Sequence, residues 1–267
     1  MAKKIIISRK GLDSSNSNIP SPILQNKTML SIPIPNDDKT KYSDLTVEKI
    51  SYSDLLIKLN HEKSNFNDKC HLDPDIYMSI KGRPKNWRAC FGQESVAQLH
   101  LQNKGISIGD IFLFFGWFKE TEGLLNVIKY KKGAQDIHAF FGYLQIGEIL
   151  TSTNDMQKVK WHPHADYGED DHNTIYVASE KLLNTSHPGY GVFRFSEEIN
   201  LTKRGYSRSK WELPSCFKGK DISYHSETSQ KKDYFQSAMI GQEFVLESDD
   251  EIERWIISIV NTNRVDI

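Results

Sequence analysis

The chain has 267 residues, enough to bury a large core without disulfides or structural metals. Its net charge of −1 and pI of about 6.8 exclude a generally basic, DNA-coating protein. Contact with nucleic acid would have to come from a local basic patch, and a nucleotide-sized ligand fits the balance equally well. The cysteines Cys70, Cys90 and Cys216 are odd in number, widely spaced and free of any CxxC pair. They indicate neither a zinc knuckle nor a disulfide scaffold, and a reducing cytoplasm is expected. No secretory signal is visible, and the longest apolar run, Ile111 to Phe118, is too short to span a bilayer.

In chain order, Ile5, Ile6 and Ile7 predict a buried strand that discharges into the turn Ser8-Arg9-Lys10-Gly11-Leu12-Asp13-Ser14. Basic donors, hydroxyls and a permissive glycine at a strand end suit an oxyanion, although an ordinary polar loop has the same composition. Pro20, Pro22, Pro33 and Pro35 then forbid helix and favour extended backbone. Short helices are expected from Tyr52 to Leu59, begun by Ser51 or Ser53, and from Ser95 to Asn103, ending before Gly105. Strands are predicted at Asp110–Phe118, Ile137–Ile149, Asn173–Ala178, Gly191–Phe195 and Glu243–Leu246. Ile252, Trp255, Ile256, Ile259 and Val260 recur at helical spacing over Asp250–Asn261, which reads as core packing. Strands outnumber helices without alternating strictly with them. The expected class is α+β, with a mixed, mostly antiparallel curved sheet or partial barrel and flanking helices. There is no repeat or low-complexity block. A single domain over 1–267 is expected, with Gly168–Asp171 and Ser226–Asp233 as surface.

Three further clusters could carry chemistry. In His71-Leu72-Asp73-Pro74-Asp75, extended backbone would bring His71, Asp73 and Asp75 to one face as acid/base groups or ligands for a divalent metal. Alternatively, Asp73 caps a helix that Pro74 begins. In Trp161-His162-Pro163-His164-Ala165-Asp166-Tyr167, with His172 nearby, His162, His164 and Asp166 share the same alternation, but no HExxH pattern supports a metal there. Histidines that touch a ligand or merely pack are the other reading. Between Thr202 and Pro214, Lys203, Arg204, Arg208 and Lys210 interleave with Tyr206, Ser209 and Trp211, like a phosphate-and-base strip or a solvated loop. No GxGxxG, P-loop, GxSxG elbow or catalytic-thiol signature is present.

Taken in order, these segments resemble the family called nucleotide modification associated domain 3. The resemblance rests on Ser8-Arg9-Lys10-Gly11 with Asp13-Ser14, Ile19-Pro20-Ser21-Pro22-Ile23, Pro33-Ile34-Pro35 and His71-Leu72-Asp73-Pro74-Asp75. It continues through Phe91-Gly92-Gln93, His100-Leu101, Gly109 to Phe118, Phe141 to Gln145, Pro163-His164, Tyr176-Val177-Ala178, Leu201-Thr202 and Ser209 to Pro214. It implies a role in modifying nucleotides or DNA bases in bacteria and their phages, without fixing a reaction. Where the family has an aromatic after the opening glycine, this chain has Leu12. The strands near Gly109-Asp110 and Gly142–Ile149 also resemble the barrel half of PUA, ASCH and EVE-like domains, which would place a barrel portion at about 105–200.

The resulting expectation is a nucleotide- or DNA-base-modifying protein. His71, Asp73, Asp75 and Asp13 are its candidate catalytic groups. Ser8, Arg9, Lys10, Ser14, Trp87, Gln93, His100, His164, Arg208, Ser209 and Trp211 are candidate substrate or phosphate contacts. Arg9, Lys10, Asp73 and Asp75 should then line one concave site. No metal ligands are assigned, although Mg or Mn is compatible with the residues. Nucleotide or DNA, and other nucleic-acid-modification proteins, are the expected partners, with no membrane. A non-catalytic reader of modified nucleic acid, using Trp87, Trp117 or Tyr143, and an adaptor in a phage or defence complex are the alternatives.

Overall fold

Three consecutive isoleucines near the start of the chain lie at the heart of the main sheet, and Ile5, Ile6 and Ile7 are each 0% exposed. A run apolar on both faces suits a strand with neighbours on either side. A computed structural model describes residues 3–47, 49–59, 68–80, 82–168, 172–239 and 241–266. The main sheet has ten strands. In chain order they are β1 (Lys4–Arg9), β2 (Ser21–Ile23), β3 (Cys90–Gln93), β4 (Ile111–Glu122), β5 (Lys129–Tyr130), β6 (Ile137–Leu150), β7 (Thr174–Ala178), β8 (Tyr190–Phe193), β9 (Glu243–Glu247) and β10 (Arg264–Val265). The path runs β9-β1-β4-β6-β7-β3, with β2 and β5 added to β4, β8 to β6 and β10 to β8. β1 and β2 lie parallel to β4, and the other pairings in this sheet are antiparallel.

The long strand β6 serves three partners in succession. Its register slips between Phe140 and Gly142 against β4, and between Ile146 and Glu148 against β7. Such irregularities bend and twist a sheet. A ring cluster packs between the strands: Phe91 lies 4.7 Å from Phe112 and 5.3 Å from Phe114, and Tyr176 lies 5.0 Å from Phe112. The class is α+β, as expected. The sheet does not close into a barrel, because β9 and β3 end the path without pairing.

Four helices flank the sheet among the described residues: α1 (Tyr52–Leu59), α2 (Ser95–Asn103), α3 (Thr153–Met156) and α4 (Asp250–Asn263). Ser51 begins α1, its hydroxyl accepting from the Asp54 N–H at 3.0 Å. Asp249 caps α4 by accepting from the Glu251 and Ile252 N–H groups, and Ile252, Ile256, Ile259 and Val260 face the core. No described helix is long and apolar enough to cross a membrane. Ser226–Asp233 lies mostly exposed around a single turn, whereas residues 169–171 of the predicted acidic loop fall outside the described residues.

His138 on β6 is buried and accepts a hydrogen bond from Trp211 Nε1 at 3.1 Å. Burial, reinforced by the charges of Arg9 and Arg208, holds its pKa well below the usual histidine range. A histidine with a depressed folded value contributes fully above its unfolded value, near 6.5, and loses that contribution as pH falls. Wild-type stability should therefore decline as pH drops below about 6.5, and His138→Gln should remove up to about 1.4 kcal/mol per pH unit of that slope. Urea titrations across this window provide the check, and identical slopes in the two proteins would exclude His138 as a source.

Candidate functional site

The two ends of the sheet, unpaired through their backbones, are joined by side chains. Gln93 Nε2 on β3 donates to Glu243 Oε1 on β9 at 2.7 Å, and Ser8 Oγ on β1 donates to the same oxygen at 3.1 Å. Lys10 Nζ lies 3.2 Å from that oxygen and 4.4 Å from the centre of the Phe91 ring. The Lys10 and Glu243 side chains are only 9% and 1% exposed. β1 ends in the predicted turn, where Gly11 adopts φ +77°, and a Cβ there would meet Ser31 Oγ at 2.5 Å. Beyond the turn, Asp13 accepts from the Ser15 N–H at 2.7 Å and so braces the loop. Leu12 is buried in the core, so it offers no stacking surface.

A cleft of about 930 Å³ opens along this seam. Its lining takes in Arg9, Lys10, Asp13, Ser14, Ser15 and Asn16 from the turn after β1, together with His71, Asp73, Gly92, Gln93, His164 and Tyr167. Arg9 donates to the carbonyls of Ala238 (2.8 Å) and Met239 (3.4 Å), while its Nε has no partner. Glu243 lines the cleft as well, and its Oε2 is likewise without a partner.

The His/Asp cluster is assembled from separate stretches of chain. The short strand Cys70–His71 pairs with Ile34–Pro35, which fixes His71. Asp73 Oδ1 accepts from the Gly92 N–H at 2.8 Å and from His162 Nε2 at 3.2 Å. Asp73 therefore caps no helix, and the helix-start alternative for Asp73-Pro74 does not hold. His162 precedes the turn Pro163–Asp166, and its Nδ1 accepts from the His164 N–H at 3.4 Å. Gly92 is indispensable for this approach, since a Cβ there would lie 2.3 Å from His164 Cδ2. His164 Nδ1 meets Asn173 Oδ1 at 2.8 Å, and His71 Nδ1 meets Asp38 Oδ2 at 2.7 Å. Tyr167 OH lies 3.0 Å from His71 Nδ1. His71 Nε2 and Asp73 Oδ2 stand 3.9 Å apart.

These contacts set the charges. Burial works to raise the Asp73 carboxyl, but the hydrogen bond and charge of His162, then the charges of Lys10 and His71, hold it far below the usual range. Asp38 is likewise held low, because its bonds to His71 and Tyr167 outweigh its burial. Burial pushes the His164 imidazole down to about 4, against the pull of Asp73. The site thus presents two anchored carboxylates and a neutral imidazole.

Of the four residues expected to share one concave surface, Arg9, Lys10 and Asp73 do so. Asp75 instead exchanges backbone hydrogen bonds with Cys90 and turns its carboxylate to both terminal nitrogens of Arg83 and to Trp87 Nε1 (3.0 Å). Trp87 is occupied there, with Arg83 4.5 Å from its ring. Ser8 lies behind the cleft on Glu243, and His100 bonds Ser223 Oγ at 3.0 Å. Arg208 covers Trp117 at 4.1 Å, the Ser209 carbonyl accepts from the Ser237 N–H, and Trp211 is packed in the core. None of these, nor Tyr143, lines the cleft. Asp38, Asn173 and Glu243 were not singled out by sequence as site residues, and Gly92 entered only within the Phe91-Gly92-Gln93 motif.

Removing one partner of a buried ion pair strands the other charge. Lys10→Met should cost about 3–5 kcal/mol in denaturant unfolding, and adding Glu243→Met should recover much of that loss. If Lys10→Met costs less than about 1 kcal/mol, the pair does not fasten the seam.

No curated protein and no solved structure matches this chain. The model of one family, described as nucleotide modification associated domain 3, matches residues 4–247. The match runs from the first residue of β1 to the last of β9, so it takes in both sides of the seam and every residue of the His/Asp cluster. The chain belongs to the nucleotide modification associated domain 3 family.

Proposed function

We propose that the chain is an enzyme that binds a nucleotide, or a nucleotide of DNA, in this cleft and modifies it there. The observation that carries the reading is that the basic turn after β1 and the His/Asp cluster face one cleft of nucleotide size. Its volume of about 930 Å³ is in the range of small-molecule sites. Arg9 spends one N–H of each terminal nitrogen on the Ala238 and Met239 carbonyls, leaving the second N–H of each for a phosphate. Ser14, Ser15 and Asn16 add short polar groups beside it. The first turn of α2 lines the same space, together with Glu94 before it.

In the same cleft, His71 and Asp73 supply an imidazole and an ionised carboxylate for a bound base or sugar. Lys10 faces the cleft while neutralised by Glu243, so Arg9 is the main cationic contact for a phosphate.

Calorimetric titration with nucleoside monophosphates and their matching nucleosides tests the assignment. A charged hydrogen bond contributes about 1.5–3 kcal/mol. Arg9→Gln should therefore weaken monophosphate binding by roughly 10- to 100-fold and leave nucleoside binding nearly unchanged. Asp73→Asn should retain ligand while lowering turnover by about 10²–10⁴-fold, read as lost modified bases in DNA from expressing cells. Failure of the wild-type protein to bind any nucleotide or DNA would overturn the reading.

A further inference from the structure

We infer that His71, Asp73 and His164 form a binding site for one divalent first-row transition-metal ion, held through His71 Nε2, Asp73 Oδ2 and His164 Nε2. The three residues offer ligand atoms that all lie within 4.8 Å of one another, and all three line the cleft. An ion about 2.1 Å from each donor brings the donors to roughly 3.0–3.5 Å apart. Small rotations of the carboxylate and the two rings supply that contraction.

The hydrogen-bond network decides which atoms are free to ligate. Asn173 Nδ2 donates to the His164 carbonyl at 2.9 Å, so its Oδ1 must be the atom that accepts from the His164 ring. That puts the proton on His164 Nδ1 and leaves a lone pair on Nε2. Asp38, an acceptor only, takes the Nδ1 proton of His71 and leaves its Nε2 bare in the same way. Asp73 Oδ1 is committed to Gly92 and His162, and Oδ2 remains. His162 itself cannot serve as a ligand here, because its Nδ1 accepts from the His164 N–H and its Nε2 donates to Asp73. Each ligand atom thus has its opposite atom held by an outer partner, which is how metal-binding imidazoles and carboxylates are oriented.

The donor chemistry narrows the ion. Two imidazoles and one carboxylate with open positions suit Fe(II), Mn(II), Co(II) or Zn(II), whereas Mg(II) prefers an all-oxygen shell. The positions not filled by protein open toward the cleft, where water or a ligand oxygen can enter. The alternatives within the same segments are already spent. Asp75 is bound by Arg83 and Trp87, and Asp166 pairs with Lys39 at 2.8 Å on the surface. The use of the ion in nucleotide or base modification rests on the function proposed above, but its binding does not.

Metal-depleted full-length protein should bind Co(II), Mn(II), Zn(II) and, anaerobically, Fe(II) at one ion per chain by calorimetry, with Mg(II) far weaker. His71→Gln and His164→Gln should each weaken binding by roughly 100-fold or more. Asp38→Asn, which removes only an outer partner, should cost roughly 10- to 100-fold. His187→Gln, remote from the cleft, should change nothing. Circular dichroism reports whether each variant is folded. Nitrogen hyperfine coupling in the Mn(II) resonance of the wild-type protein tests imidazole ligation without any variant. No stoichiometric binding of these ions, absence of nitrogen coupling, or undiminished binding in both His→Gln variants overturns the inference. A protein that binds the ion but no nucleotide keeps the metal site and loses the proposed function. One that binds nucleotide but no ion does the reverse.

Discussion

One carboxylate oxygen, Glu243 Oε1, gathers a hydroxyl from β1, an amide from β3 and the ammonium of Lys10. Residues 8, 93 and 243 are far apart along the chain and lie on three strands, two of which are the ends of the sheet path. A buried carboxylate is costly unless it is paired and hydrogen-bonded, so this one tolerates little displacement of any partner. Lys10 is constrained from a second direction by the Phe91 ring, which favours a cation over its face. The position of the turn after β1, and hence of Arg9, follows from that anchorage. So does the position of β3, whose Gly92 supplies the N–H that holds Asp73.

The His/Asp cluster is a chain of directed hydrogen bonds. Asn173 orients His164, His162 and Gly92 orient Asp73, and Asp38 with Tyr167 orients His71. Apart from the Tyr167–His71 contact, each link has its donor fixed by chemistry, because carboxylates only accept and an amide nitrogen only donates. Interiors penalise unsatisfied polar atoms strongly, so such a chain is rigid only when complete. The cluster fits that condition, with its reactive atoms turned toward the cleft and the rest engaged behind them.

Much of the fold was legible in the sequence, because local patterns dictate it. The isoleucine run, the proline-rich extended segment, the Ser51-initiated helix and the amphipathic α4 follow from propensity and periodicity. The site was legible in its residue types but not in its grouping. Alternation suggested His71 with Asp73 and Asp75, and His162 with His164 and Asp166. The fold takes His71 and Asp73 from the first set and His164 from the second, because Asp75 turns to Arg83 and Asp166 turns to Lys39. No local rule reports which of two adjacent clusters a distant strand will touch. The roles of Glu243 and Gly92 were unreadable for the same reason, since they lie in contacts about 150 residues apart or more, or in a ring lying against a missing Cβ.

The seam also orders events on the ribosome. The Ser8–Glu243 contact spans 235 residues, so the cleft cannot exist until β9 has been synthesised and released from the exit tunnel. Until then β1 is a strand of bare isoleucines with one edge unpaired, the kind of surface that recruits other chains. A nascent chain therefore carries this unpaired edge throughout the synthesis of the 235 residues that separate Ser8 from Glu243. Slow elongation would lengthen that exposure.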